Sequence, residues 1–181
     1  MADPAVAALA RDSRLCAIAG EILGTDTTAF RATLFEKSAQ TNWLVPWHQD
    51  TGLPLVAPFE APGWGPWSRK AAVAYAHAPA WALWRVVALR VHLHASTAGN
   101  GPLRVIPESH LGGVLTDAEV QACVQARQPV ECLVPRGGVL SMRPLLIHAS
   151  SKARSGDSRR VLHIEYADSI DLAPGIRLAT A

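Results

Sequence analysis

Arg85-Val86-Val87-Ala88-Leu89-Arg90-Val91-His92-Leu93-His94 alternates along its length. Val87, Leu89, Val91 and Leu93 fall on one face of an extended chain, and Arg90, His92 and His94 on the other. A period of two is the period of a strand. Working outward, Leu103–Ile106, Val130–Val134, Val139–Met142, Leu145–Ala149 and Arg159–Tyr166 are further short strand candidates. Turn-forming residues separate them, including Gly99-Asn100-Gly101-Pro102, Pro135-Arg136-Gly137-Gly138 and Ser155-Gly156-Asp157. Many short strands at close intervals predict a mainly β chain, a sandwich or barrel rather than alternating βα units.

Two segments read as helix. Asp3-Pro4 supplies an N-cap and an N1 proline, and Val6, Leu9, Leu15, Ile18, Ile22 and Leu23 recur at helical spacing. This N-terminal helical segment, 1–24, is expected to restart at Ser13 after a bend and to end at Gly24. Thr116-Asp117-Ala118-Glu119 is a capping box, with Val120, Cys123 and Val124 as one stripe before Gln128-Pro129. Residues 52–84 carry four of the six tryptophans, and Pro54, Pro58, Pro62, Gly63, Gly65 and Pro66 argue against regular structure before Ser68. An insertion of that kind reads as a lid that packs on something.

Composition narrows the class. The 181 residues are 49% apolar and 18% charged, with a formal net charge of +2. That length and apolar content predict a single domain, 1–181, and exclude disorder. The charge balance offers no footprint for nucleic acid or an anionic membrane, and no apolar stretch is long enough to span one. No signal-like segment opens the chain, and Cys16, Cys123 and Cys132 show no framework spacing. A cytoplasmic protein with core-filling thiols is the expectation.

The chemistry gathers at His48-Gln49-Asp50. Residues i and i+2 of an extended segment project to one side, so an imidazole and a carboxylate can reach a common point. Chance supplies about 0.3 such pairs in a chain of this composition, so a polar pair at a strand end is the competing reading. A second imidazole would complete the two-His-one-carboxylate set of non-haem iron(II). His148 supplies a candidate at the end of the apolar run Pro144-Leu145-Leu146-Ile147. After a polar turn, Arg159 opens a strand, and its planar fork suits the distal carboxylate of 2-oxoglutarate. Arg159, Val161, His163 and Glu165 share one face, while Arg160, Leu162, Ile164 and Tyr166 share the more apolar one, so Arg160 stays open as the alternative. His92 and His94 form a second metal-like pair, but Ala95–Asn100 has no Glu to complete a cupin set, and the polar face of a strand explains them.

These blocks resemble a known family. Asn42-Trp43-Leu44-Val45-Pro46-Trp47-His48-Gln49-Asp50, Asn100-Gly101-Pro102-Leu103-Arg104-Val105-Ile106-Pro107-Glu108-Ser109-His110, His148 and Arg159 look like the phytanoyl-CoA dioxygenase family over about Phe30 to Asp168. Glu108 stands where that family's pattern has glycine. The resemblance implies a double-stranded β-helix (jelly-roll, cupin-like) with flanking α-helices. It implies an enzyme using iron(II), dioxygen and 2-oxoglutarate as co-substrate to hydroxylate or otherwise oxidise a small-molecule substrate, releasing succinate and carbon dioxide. By the same likeness His48, Asp50 and His148 are the catalytic iron ligands and Arg159 anchors 2-oxoglutarate. Ser150, Trp67 and Lys37 are further co-substrate-binding candidates. Halogenating relatives carry a small residue in place of the carboxylate, so Asp50 implies oxygenation. A chain short for that family implies a small substrate. The second reading is a non-catalytic metal- or ligand-binding β-helix domain, a sensor or degenerate paralogue.

Overall fold

A computed structural model describes residues 3–180. Met1, Ala2 and Ala181, where the expected helical segment and domain begin and end, lie outside them. The chain opens with α1 (Pro4–Ala10) and α2 (Ser13–Leu23). Asp3 accepts the N–H groups of Ala5 and Val6 at 2.8 and 3.1 Å, and Asp12 that of Arg14 at 2.9 Å. The restart expected at Ser13 is present as a second helix with its own cap. Gly24, at φ +77°, closes α2 in the left-handed conformation. There follow β1 (Thr28–Lys37), β2 (Val45–His48), β3 (Gly52–Leu55), β4 (Trp67–Lys70), β5 (Val73–His77), α3 (Ala80–Leu83), β6 (Val86–His92) and β7 (Leu103–Val105). A 3-10 turn, Ser109–Gly112, leads into α4 (Asp117–Ala126), and β8 (Val130–Cys132), β9 (Val139–Met142), β10 (His148–Ser150), β11 (Arg159–Ala167), β12 (Asp171–Ala173) and β13 (Ile176–Arg177) complete the chain.

Two four-stranded sheets, in the orders β1-β11-β6-β9 and β2-β10-β7-β8, carry the architecture. It is the mainly β, double-stranded β-helix arrangement with flanking helices. Among the described residues no helix is long and apolar enough to cross a membrane. By its contacts the chain divides into two compact units: one takes the residues up to 32, 51–89 and those from 164, the other 33–50 and 90–163.

In the first unit Tyr166 donates its hydroxyl to the carbonyl of Ala10 at 3.0 Å, and Arg85 grips both oxygens of Asp168 at 2.8 and 2.9 Å. Part of the stretch expected to be irregular is strand: 56–66 hold no helix or strand, but Gly52–Leu55 is β3, in an antiparallel sheet ordered β3, β5, β4. Pro54 does not break it, because its carbonyl accepts from Ala179 and its backbone edge therefore faces away from β5. The neighbouring Leu53 and Leu55 pair with Ala76 and Ala74. Phe59 meets Trp64 and Trp67 edge-on at 5.1 and 5.2 Å, and Trp81 adds to Trp64 at 6.0 Å. Those rings pack on one another.

In the second unit the capping box forms as expected. Thr116 Oγ1 accepts from Glu119 N, and Glu119 accepts from Thr116 N at 2.8 Å. Val120 of α4 packs with Ile106 and Ile147, bordered by Trp47, Leu115, Cys123 and Val124. The apolar run before His148 departs from expectation. Leu145 and Leu146 lie in a turn closed by Leu146 N–H to Arg143 O, and Ile147 gives its N–H to Ser109 Oγ at 2.8 Å. With those donors spent elsewhere, ladder pairing begins at His148 instead of ending there. Glu108 holds φ +61°, the left-handed region that explains why glycine suits this position.

Candidate metal centre

β2 and β10 run antiparallel with His48 directly opposite His148. Direct cross-strand partners put their side chains on the same face, and the two rings lie 4.3 Å apart between centroids. A slip of one residue in this register would send one imidazole to the other side of the sheet. Asp50, two residues beyond His48, places Oδ1 3.5 Å from His48 Nε2 and Oδ2 3.6 Å from His148 Nε2. One ligand atom from each of the three lies within 4.8 Å of the others.

Gln49, between two of these residues, is buried and locks the segment. Its Nε2 donates to the carbonyls of Gly113 and Leu145 at 2.8 and 2.7 Å, and its Oε1 accepts from Leu115 N at 2.8 Å. Asp50 N–H donates to Pro144 O at 2.9 Å. The ligand strand is thus pinned to the loop that delivers His148.

The proton positions follow from the carbonyls. His48 Nδ1 lies 2.8 Å from Pro46 O, and His148 Nδ1 2.9 Å from Leu146 O. A carbonyl can only accept, so each Nδ1 carries the hydrogen and each neutral Nε2 turns a lone pair to the shared point. Two imine nitrogens and a carboxylate then converge with no donor among them, at separations too long for good hydrogen bonds. A cation completes such a set, and its N,N,O chemistry fits iron(II). Without a cation the same groups shift one another. Burial opposes ionisation of Asp50, but the His48 contact and the fields of His148, His163 and His48 outweigh it and hold the carboxyl far below its usual range. Asp50 raises the His48 imidazole, whereas burial lowers that of His148.

The triad borders a cavity of about 90 Å³, open to solvent and lined by residues from β1, β2, β6, β7, β10 and β11. Arg159 opens β11 on its wall, 3% exposed, and its Nε is buried with no hydrogen-bond partner among the described residues. Arg160 points the other way, exposed, and pairs with Glu36 at 3.0 Å. Lys37 and Ser150 also line the cavity. The Lys37 ammonium donates to Ser150 Oγ at 2.7 Å and to the carbonyl of Ser151, and the Ser150 hydroxyl donates to Gly101 O at 2.8 Å. Burial, with Arg159 and Arg104 nearby, brings Lys37 down to about 8. Trp67 is not among the cavity-lining residues; it sits on β4 against Phe59. Arg90 is, although sequence reasoning named it only as part of the polar face of its strand. That alternation was the available signal; Trp43, also lining the cavity, lay in the block preceding His48, and Phe35 had no signal.

No curated protein matches the chain by sequence. The family model described as phytanoyl-CoA dioxygenase matches residues 1–161. Among solved structures, AviO1 from Streptomyces viridochromogenes Tue57 is similar at 25% identity, covering 89% of this chain and 60% of that one, with a TM-score of 0.64. EctD from S. alaskensis, solved with 2-oxoglutarate and 5-hydroxyectoine, shares 21% identity over 92% of this chain and 53% of that one, with a TM-score of 0.67. SnoN, described as a non-heme alpha ketoglutarate dependent epimerase from nogalamycin biosynthesis, shares 16% over 93% and 58%, with a TM-score of 0.64. The chain spans 60% or less of the length of each of these three structures.

Proposed function

Because this chain belongs to the phytanoyl-CoA dioxygenase family, we propose that it is an iron(II)/2-oxoglutarate-dependent oxygenase that hydroxylates or otherwise oxidises a small molecule, with release of succinate and carbon dioxide. One observation carries the reading. Three acceptors converge without a donor, and the same cavity holds a buried guanidinium whose Nε has no hydrogen-bond partner among the described residues.

His48, Asp50 and His148 would hold the metal. When bound, iron(II) with 2-oxoglutarate and dioxygen supplies the oxidising equivalents. The chain's own contribution is placement. The Pro46 and Leu146 carbonyls fix both imidazole tautomers, and Gln49 fixes the strand that carries two ligands. Arg159 offers a planar fork to the distal carboxylate of the co-substrate, whose charge offsets the cost of burying the guanidinium. Lys37, held by Ser150, adds positive charge to the same wall. Burial of Arg159 and Lys37 limits competition from water for their charges. Trp67, engaged by Phe59, has no part in the proposal.

The test is spectroscopic and then chemical. Under nitrogen, the protein with iron(II) and 2-oxoglutarate should develop a weak visible charge-transfer band, and admission of oxygen should yield succinate. His48→Ala should lose both signals. A wild-type protein showing neither band nor succinate would leave the non-catalytic reading in its place.

A further inference from the structure

Arg90 has no role in the function just proposed, yet it lies inside the same cavity. β6 is buried on both faces, and Arg90, on its polar face, is 5% exposed. Its Nη1 lies 3.1 Å from His163 Nδ1, its guanidinium sits 5.2 Å from the centre of the Phe35 ring, and its Nε is buried without a partner among the described residues. The carboxylate whose field reaches it is Asp50, which the metal claims. Burial first, then Arg159, brings Arg90 down to about 10. An interior guanidinium that shares its wall with a second one and lacks a carboxylate partner is strongly destabilising.

Charge balance says what is missing. Lys37, Arg90 and Arg159 bring three positive charges to the cavity, against the single carboxylate of Asp50. A dication and the 2-oxoglutarate dianion cancel each other, so loading the site leaves two positive charges in excess. Arg159 takes the co-substrate carboxylate, and Lys37 is saturated by neutral oxygens of Ser150 and Ser151. Arg90 remains.

We propose that Arg90 is a specificity-determining residue that receives an oxyanion, a carboxylate or phosphate-type group, of the substrate, so that the oxidised small molecule is an anion. The inference rests on the oxygenase reading of the site. It specifies the substrate's charge and the residue that reads it.

The experiment is calorimetric titration of anaerobic protein saturated with iron(II) and 2-oxoglutarate, using butyrate, propylphosphonate and neutral butyramide as probes. At least one anion should bind tenfold or more tightly than butyramide, and the stronger of the two identifies the oxyanion. Arg90→Met should abolish that preference and Arg90→Lys should restore part of it. Both variants should keep the affinity for 2-oxoglutarate within about twofold, and Arg90→Met should melt at the same or a higher temperature, because a buried charge has been removed. Anions that bind no better than butyramide, or a preference that survives Arg90→Met, would overturn the proposal. So would an Arg90→Met variant that loses 2-oxoglutarate instead. Repeating the titration on metal-free protein separates the two readings. Failure to take up iron(II) and 2-oxoglutarate overturns the oxygenase, and absence of an Arg90-dependent preference in both forms overturns the anion site.

Discussion

His92 offers a titration whose size and sign can be worked from the structure. The residue is 2% exposed on β6, its Nδ1 lies 3.1 Å from Ser96 Oγ, and its Nε2 is buried without a partner among the described residues. Burial, then the fields of Arg90 and Arg159, bring its pKa down to about 4. In the unfolded chain the imidazole titrates near 6.5. Between those two values the unfolded state binds a proton that the folded state refuses, so stability falls as pH drops through the window and levels off below about 4. At about 1.4 kcal/mol per unit, the full loss is about 3.5 kcal/mol. His92→Asn keeps a nitrogen near the Nδ1 position and removes the titration. Urea unfolding of the metal-free protein, followed by tryptophan fluorescence from pH 7.5 to 4.5, should show the variant gaining about 2.5 kcal/mol on wild type over that range. The other histidines cancel in the difference. Parallel stability curves for the two proteins would refute the assignment of a buried neutral His92 within the fields of Arg90 and Arg159.

Two backbone positions give further tests. Gly101 holds φ +69°, and a Cβ there would stand 2.5 Å from Ser151 O and 3.3 Å from Lys37 Nζ, so Gly101→Ala should cost about 3 kcal/mol and lower the melting temperature accordingly. A melting temperature equal to wild type would contradict the packing described around Lys37. Glu108, at φ +61°, carries strain that glycine lacks. After allowing for the greater freedom of unfolded glycine, Glu108→Gly should gain about 0.5 kcal/mol, seen as a small rise in melting temperature, and a fall would show that the glutamate side chain contributes more than its backbone costs.

Local signals marked the elements that local chemistry builds. The Thr116–Glu119 capping box forms as spaced, and the alternation around Arg90 appears as β6, from Val86 to His92. β1 carries no such mark. Its burial follows no two-residue alternation, because parts of both faces are covered. The sheet of β3, β4 and β5 was hidden by prolines and glycines that read as loop, and Pro54 is compatible with strand only because its backbone edge points away from β5.

The sequence by itself determined which side chains travel together: His48 with Asp50, Arg159 with His163, Arg90 with His92, each set by the period of an extended chain. It could not say which face of each strand turns inward. Apolarity favoured the Arg160 face of β11, yet Arg159 is the residue inside, and Arg160 lies outside against Glu36. Tertiary structure decided this because β11 is covered on both faces, so burial does not identify the interior. The same structure put His148 opposite His48 through a register, and gathered three cations around one carboxylate. Both depend on pairings between strands far apart in the chain, which no local spacing encodes.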